Sequence, residues 1–398
     1  MSKQTGHPMS VGLILVTLVM LISALTPDAD AIPAFARKYN MTCTTCHAPI
    51  PRLKPYGDEF AGNGFVLKDK DAPRYFVETG DRDLSLIRDL PFAIRLEGWM
   101  QYNSATERDF DFTSPYLLKL LSGGSLTENV AYYFYFFFDE RGHVAGIEDA
   151  FIMFNDLFES ELDVYIGQFQ VSDPLFKREL RLTLEDYEVY RTRVGVSHAN
   201  LTYDRGLMLT YGFPETGTDV IVEVTNGDGL VEADEFRVYD DDKYKAFVGR
   251  VSQDINDHIR VGGFGYYAKE GDYHTNEAWY LGPDASLAVG PLELNLQYLE
   301  RHDTDPFLAG HSGGDYKTRG GFAEAILFPE ATGSKWYGVA LYNFVEIDEP
   351  MGGMISRYNT LAGHVGHLLR TNIRLAGEYR WDIEHEESRV GFGIISAF

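Results

Sequence analysis

The chain has 398 residues, with 35 Lys+Arg against 60 Asp+Glu for a formal charge of −25, and it is rich in aromatics (26 Phe, 25 Tyr, 4 Trp) but holds only 2 Cys. Such a polyanion is repelled by phosphate backbones and by anionic inner-leaflet lipids, so no nucleic-acid partner is expected. Two cysteines cannot build a disulfide framework or a structural zinc site alone, and so many aromatics exclude an acidic disordered chain.

The first predicted element is a targeting segment. Val11–Leu25 reads VGLILVTLVMLISAL, behind Lys3 and ahead of Ala29-Asp30-Ala31. That is a basic start, an apolar stretch and a small-x-small cleavage site. Fifteen apolar-stretch residues fall short of the roughly 20 that a spanning helix needs. Residues 1–31 are therefore expected to be a signal peptide, and the chain to be exported. No later apolar run reaches helix-spanning length, so crossing a membrane would require a barrel.

Residues 32–90 form the next predicted unit, around Cys43-Thr44-Thr45-Cys46-His47. On one helical turn Cys43 and Cys46 share a face and can form thioethers to the two vinyl groups of a haem. His47 then offers its imidazole to the iron as proximal ligand. A thioredoxin-type dithiol would need a βαβ setting, and a zinc site would need two more ligands at matched spacing; neither is present. The expected cofactor is one covalent haem c. The segment is short and carries Pro33, Pro49, Pro51, Pro55, Gly57, Gly62 and Gly64. A unit of that size is marginal alone and is expected to lean on the remainder of the chain.

From residue 91 to 398 the pattern has period two. Phe92, Ile94, Leu96, Met100 and Tyr102 alternate with Arg95, Glu97, Trp99, Gln101 and Asn103. At the other end Val390, Phe392, Ile394 and Phe398 alternate with Arg389, Gly391 and Gly393. Apolar-out, polar-or-small-in alternation is the signature of a transmembrane barrel strand. Strands are predicted to begin near residues 92, 116, 129, 146, 162, 206, 219, 245, 258, 277, 292, 317, 335, 355, 371 and 389. With a periplasmic C-terminus, one set of connections is short: Asp156–Glu161, Phe213–Thr218, Asp254–Asp257, Leu287–Pro291 and Pro329–Ser334. The other set holds the long ones, Val171–Arg205, Gly227–Tyr244 and Arg301–Tyr316. The expected fold is all-β: a transmembrane antiparallel β-barrel of about 16 strands, preceded by a short α-helical c-type haem-binding segment. A soluble β-sandwich shares the alternation but not the two loop classes or the closing Phe.

This topology assigns charge to the external side. Asp228, Glu232, Asp234, Glu235, Asp240, Asp241 and Asp242 lie in Gly227–Tyr244. Glu346, Asp348 and Glu349, then Glu384, Glu386 and Glu387, fall in further external loops, as do His143, His274, His302, His311 and His385. The bland reading is a hydrated outer face. The sharper one is that carboxylates and imidazoles concentrate a divalent metal cation at the pore mouth.

Ala34-Phe35-Ala36-Arg37, the CTTCH motif, Pro51-x-Leu53-x-Pro55-Tyr56-Gly57 and Asn63-Gly64-Phe65, followed by a barrel, resemble the fused cytochrome–porins of the bacterial outer membrane. The iron-oxidising outer-membrane cytochromes belong to that group. The motif resemblance covers about 35 residues, and the barrel resemblance is one of architecture. It implies a single haem in or under the barrel lumen and electron transfer across the outer membrane. Carried over residue by residue, it reaches Cys43, Cys46 and His47.

The sixth iron ligand is not fixed by spacing. Three candidates follow from position: His364, facing the lumen if Leu361 and Val365 face lipid; Met208, opposite Leu207, Leu209 and Tyr211; and His198, in the connection Val171–Arg205, which is long enough to fold inward as a constriction. That connection also carries Lys177, Arg178, Arg181, Arg191 and Arg193, which could pair with haem propionates or with Glu179, Glu185, Asp186 and Glu188. The function expected first is electron transfer between an extracellular donor or acceptor, Fe(II) being one, and periplasmic cytochromes. An Fe(II)-oxidising activity would make the chain an oxidoreductase. The alternatives are a porin for small cations gated or sensed by the haem segment, and a secreted soluble haem protein.

Overall fold

Strict alternation leaves a strand one way to satisfy its backbone in lipid, which is to pair on both sides in a closed ring. The computed structural model describes residues 34–39, 41–67, 77, 79–81, 83–88, 90–106, 110–172, 174–240, 242–310, 315–350 and 353–398. The expected signal peptide, and His311 among the external histidines, lie outside the described residues. From Phe92 the chain forms β1 Phe92–Asn103, β2 Phe110–Ser125, β3 Val130–Glu140, β4 Gly146–Leu157, β5 Leu162–Gln170, β6 Tyr203–Phe213, β7 Thr218–Thr225 and β8 Ala246–Asn256. It continues with β9 Ile259–Glu270, β10 Asn276–Val289, β11 Leu292–Asp303, β12 Tyr316–Leu327, β13 Trp336–Asp348, β14 Met354–Arg370, β15 Ile373–Asp382 and β16 Glu387–Ala397. Each strand pairs antiparallel with its sequence neighbour, and β1 closes on β16. The ring therefore has no free edge.

Every predicted strand has a counterpart. The largest shift is in β2, which starts at Phe110 rather than near 116. Tyr102 pairs with Phe110 and Met100 with Phe112, while the register slips around Ser114-Pro115. A bulge there absorbs the proline, whose missing N–H would break a regular ladder.

The wall is inverted relative to a soluble protein. Leu96, Ile152, Val222, Phe247, Leu281, Leu361 and Val365 are exposed on the outside, while Glu97, Glu223, Asn295, Gln297, Glu324, Asn343 and Glu378 are buried inside. That pattern excludes the sandwich and fits a lipid-facing barrel. Gly393 on β16 faces inward because the Trp99 ring of β1 lies over it, 2.5 Å from where a Cβ would stand.

The connection after β5 folds inward, as its length allows: the described residues of 171–202 enter the lumen. Val171, Leu182, Tyr190, Val194, Ala199 and Leu201 are fully buried there. The loop packs on an apolar stretch of inner wall that includes Val248, Phe264, Tyr280, Leu299, Phe322 and Leu341, with Tyr187 stacked on Phe322 at 4.1 Å. Glu378 on β15 accepts from the backbone N–H groups of Leu184 and Glu185 at 2.6 and 2.8 Å, and Arg374 donates to the Leu182 carbonyl at 3.0 Å.

The external side is corrected in detail. Glu346 and Asp348 lie within β13 and His302 within β11, at the external strand ends rather than in loops. Arg319 pairs with Glu346 and Asp348, and His302 stacks on Trp279 at 4.0 Å. Among the described residues no three His, Cys, Asp or Glu side chains are grouped to hold a metal ion.

Candidate haem-attachment site at the periplasmic mouth

The segment before the barrel contains α1 Ala34–Tyr39, a 3₁₀ turn Cys43–Thr45 and α2 Pro55–Gly62. Thr42 caps the turn, its Oγ1 accepting from the Thr44 N–H at 3.1 Å. The His47 N–H donates to the Cys43 carbonyl at 2.9 Å, so Cys43, Cys46 and His47 occupy one turn, as the spacing predicts. Both cysteines are free thiols.

The His47 ring is held from behind. Its Nδ1 lies 3.1 Å from the Pro51 carbonyl and 3.3 Å from that of Arg52. A carbonyl can only accept, so Nδ1 carries the proton and Nε2 keeps its lone pair. Orientation of a ligating imidazole by a carbonyl on its other nitrogen is how metal sites fix tautomer and ring plane. Burial pushes the His47 pKa below its ordinary value, outweighing the two carbonyls, with Arg95 and Lys54 pushing the same way. The ring is thus neutral at physiological pH, the form that binds metal. Burial raises both thiols, and Cys43 adds to the effect on Cys46 while Lys54 opposes it. These are not the electropositive, acidic thiols of a redox dithiol.

Helix α2 backs the turn. Pro55 begins it, and Gly57 meets Cys46 so closely that a Cβ would stand 2.4 Å from the Cys46 carbonyl oxygen. The Lys54 N–H also donates to that carbonyl at 2.8 Å. The free thiols on one turn, the oriented Nε2 and the close helix all fit a covalently attached haem.

The segment leans on the barrel, as its size requires. Phe35 stacks on Phe65 at 5.0 Å, Phe60 meets both rings edge-on, and Phe65 lies against Tyr133 of β3 at 5.6 Å. Gly64 turns with φ +68° where Ala131 and Asn155 leave no room for a side chain. Across the ring, Arg52 pairs with Glu293 at the start of β11, and the Cys43 thiol meets Thr371 between β14 and β15. All these barrel positions lie at the end where the C-terminus emerges. The segment crosses that mouth.

The three sixth-ligand candidates stand at different places in the barrel. His364 does face the lumen, but Nδ1 lies 3.0 Å from Glu378 and Nε2 lies 3.3 Å from the Tyr337 hydroxyl. Met208 is buried in the lumen on β6, paired across strands with Tyr165 and Glu223. His198 donates its backbone N–H to Glu270, at the end of β9, and so stands at the opposite mouth. The spacing argument overlooked Met153, which is buried on the inner face of β4 and pairs with Ala131 beside the segment. Its period-two placement with Asn155 was the signal available.

Three of the loop cations settle on one loop carboxylate, and a wall lysine on another. Arg178 pairs with Asp186 at 2.6 Å, Arg181 and Arg191 approach it at 3.6 and 3.7 Å, and Lys119 pairs with Glu179 at 2.7 Å. Burial would raise Asp186, but Arg181, Arg178 and Arg191 overcome it and hold the carboxyl far below the usual range. Glu185 reaches Arg380 and Arg389 on the wall instead. Lys177 stays exposed, close enough to Asp58 of α2 to lower its pKa against the burial that raises it.

No protein-family model matches the chain, and no curated protein matches its sequence. Solved structures match its fold. OmpT of Vibrio cholerae in its trimer form overlays with a TM-score of 0.59 at 11% identity, covering 78% of this chain and 99% of that one. The anion-selective porin from Comamonas acidovorans gives 0.58 at 13% identity, again over 78% and 99%. The outer membrane channel DcaP of Acinetobacter baumannii gives 0.56 at 13%, over 78% and 97%. The matched share is the size of the barrel alone, 92–398. With its apolar outer wall, the chain is a 16-stranded, porin-like barrel of a bacterial outer membrane, carrying the N-terminal segment in addition.

Proposed function

We propose that Cys43 and Cys46 attach one haem c, that His47 ligates its iron, and that the protein passes electrons across the outer membrane. The partners are an extracellular one-electron donor or acceptor, with Fe(II) as the candidate donor, and a periplasmic cytochrome. The observation that carries this reading is the His47 ring, held through Nδ1 by Pro51 with Nε2 left for a metal, one residue from Cys46. When bound, the haem supplies a one-electron iron couple. The residues of the chain do the rest. The thiols tether the group at the periplasmic mouth, where a soluble cytochrome can reach it, and α2 shields one side of the attachment turn. The acidic external loops draw a cationic donor to the other mouth.

The cation-porin alternative keeps the support of the porin-like barrel, within which the inward loop packs on part of the inner wall. Co-expression with a haem-attachment system tests the proposal. The purified protein is expected to keep its haem after denaturation, to show a two-thioether spectrum, and to lose covalent haem in a Cys43→Ala/Cys46→Ala chain. In vesicles holding an electron acceptor, external Fe(II) is expected to reduce the haem. A wild-type protein matured without haem sinks the reading.

A further inference from the structure

A haem at one mouth leaves an apolar band of about 25 Å to be crossed, and the barrel supplies a column of rings along that direction. From Phe65 in the N-terminal segment, Tyr133 follows at 5.6 Å, Tyr135 at a further 6.1 Å, and Tyr203 at a further 6.5 Å. Tyr133 and Tyr135 are successive inward positions on β3, which rises from the periplasmic end, and Tyr203 is the buried first residue of β6, level with Tyr135 in the strand register. Tyr135 and Tyr203 are joined through their hydroxyls and buried, so water does not interrupt the column. Each gap lies within the range of direct aromatic contact. Other lumen rings, such as Tyr187 on Phe322, fasten the inward loop, and a side branch leaves Tyr133 through Phe151 at 5.7 Å to Tyr165.

We propose that Phe65, Tyr133, Tyr135 and Tyr203 form the middle stretch of the route by which an electron crosses the lumen toward the haem. This rests on the haem reading above. The step is one electron: an external one-electron donor is oxidised by one unit, and ferric haem is reduced to ferrous. No proton moves, because the rings couple the two ends and none is itself oxidised. Lys119 enforces that role. Its Nζ stands over the Tyr135 ring at 4.2 Å and over Phe137 at 5.1 Å. A cation against the ring face opposes loss of an electron from that ring, so Tyr135 bridges without becoming a radical.

The test uses the haem-loaded protein in vesicles, with a membrane-impermeant ferrous chelate added outside and haem reduction followed by stopped flow. Y133L and Y135L are expected to slow reduction about tenfold or more, with haem content, resting spectrum and midpoint potential unchanged. Y135F, which keeps the ring, and F136L, on the lipid side of the same strand, are expected to match wild type. Reduction from inside, by a reductant trapped in the vesicle, is expected to be equal in all variants, because the haem sits at that mouth. Wild-type rates in both leucine variants overturn the route alone. A wild-type haem that the external chelate never reduces overturns the conduit and the route together. A leucine variant with a shifted potential marks displaced haem, and a loss of rate confined to such variants also overturns the route.

Discussion

The Nδ1 atom of His47 stands 3.1 Å from the carbonyl oxygen of Pro51, four residues downstream. The chain doubles back through Pro49 and Pro51 to bring that carbonyl behind the ring, and an isolated bridge between His47 and Leu53 closes the turn. The imidazole therefore has its proton and its plane set by backbone, which no side-chain substitution nearby can easily undo.

One prediction concerns the ring itself. His47→Gly is expected to leave the covalent attachment through Cys43 and Cys46 intact while removing the proximal ligand. The absorption spectrum should become that of an iron lacking this nitrogen, and added imidazole should restore it. An unaltered spectrum in the glycine variant would mean that another side chain holds the iron.

Gly57 makes a second prediction. Its Cβ position lies 2.4 Å from the Cys46 carbonyl oxygen, against backbone that cannot rotate away. Gly57→Val should force α2 off the attachment turn at a cost of roughly 2 kcal/mol, the range of overpacked sites. Covalent haem per chain is expected to fall. Gly62→Ala on the same helix meets nothing within 4 Å and should keep it.

Asp186 anchors the inward loop by charge. Asp186→Asn leaves Arg178 and Arg181, both largely buried, without their anion, at a cost of about 3 kcal/mol. Because the folded carboxyl is held below its ordinary 3.8, it stabilises the loop above that pH. The contribution is lost as pH falls through the depressed folded value. Thermal melting should therefore be flat near neutrality and weaken steeply only in strong acid. The asparagine variant should melt lower throughout and with less acid dependence; equal melting would assign the loop's stability to its apolar contacts.

Glu378 is the mechanical latch of that loop. It accepts from the Leu184 and Glu185 N–H groups and meets His364 and Arg389. Glu378→Leu strips two backbone donors of their acceptor, at about 1–3 kcal/mol for each group left unsatisfied. Conductance in a planar bilayer is expected to rise as the loop loosens. Unchanged conductance would place the restriction elsewhere, at the N-terminal segment.

Much of this molecule is local and therefore legible in sequence. Alternation fixes which face of a strand meets lipid, so with the turn signals it gives about sixteen strands and the inward placement of His364. The proposed haem motif is legible because that chemistry needs two thiols and an imidazole within one turn. The start of β2 was not, because Pro115 reads as a strand end until a bulge is seen to absorb it.

What only the tertiary structure decided are the relations between residues far apart in the chain. Val171–Arg205 reads as a connection long enough to fold inward, but nothing in its composition says which wall it would meet. It folds inward because Val171, Tyr187, Tyr190 and Leu201 find apolar wall between β8 and β13 and because Glu378 satisfies its backbone. The same holds for the loop arginines, whose partner Asp186 lies within their own segment and whose choice over any other anion depends on distance. Alternation also gave Tyr133, Tyr135 and Tyr203 as separate inward rings. That they stand in one column above Phe65 follows from barrel closure, which brings β3, β6 and the N-terminal segment to one side of the lumen.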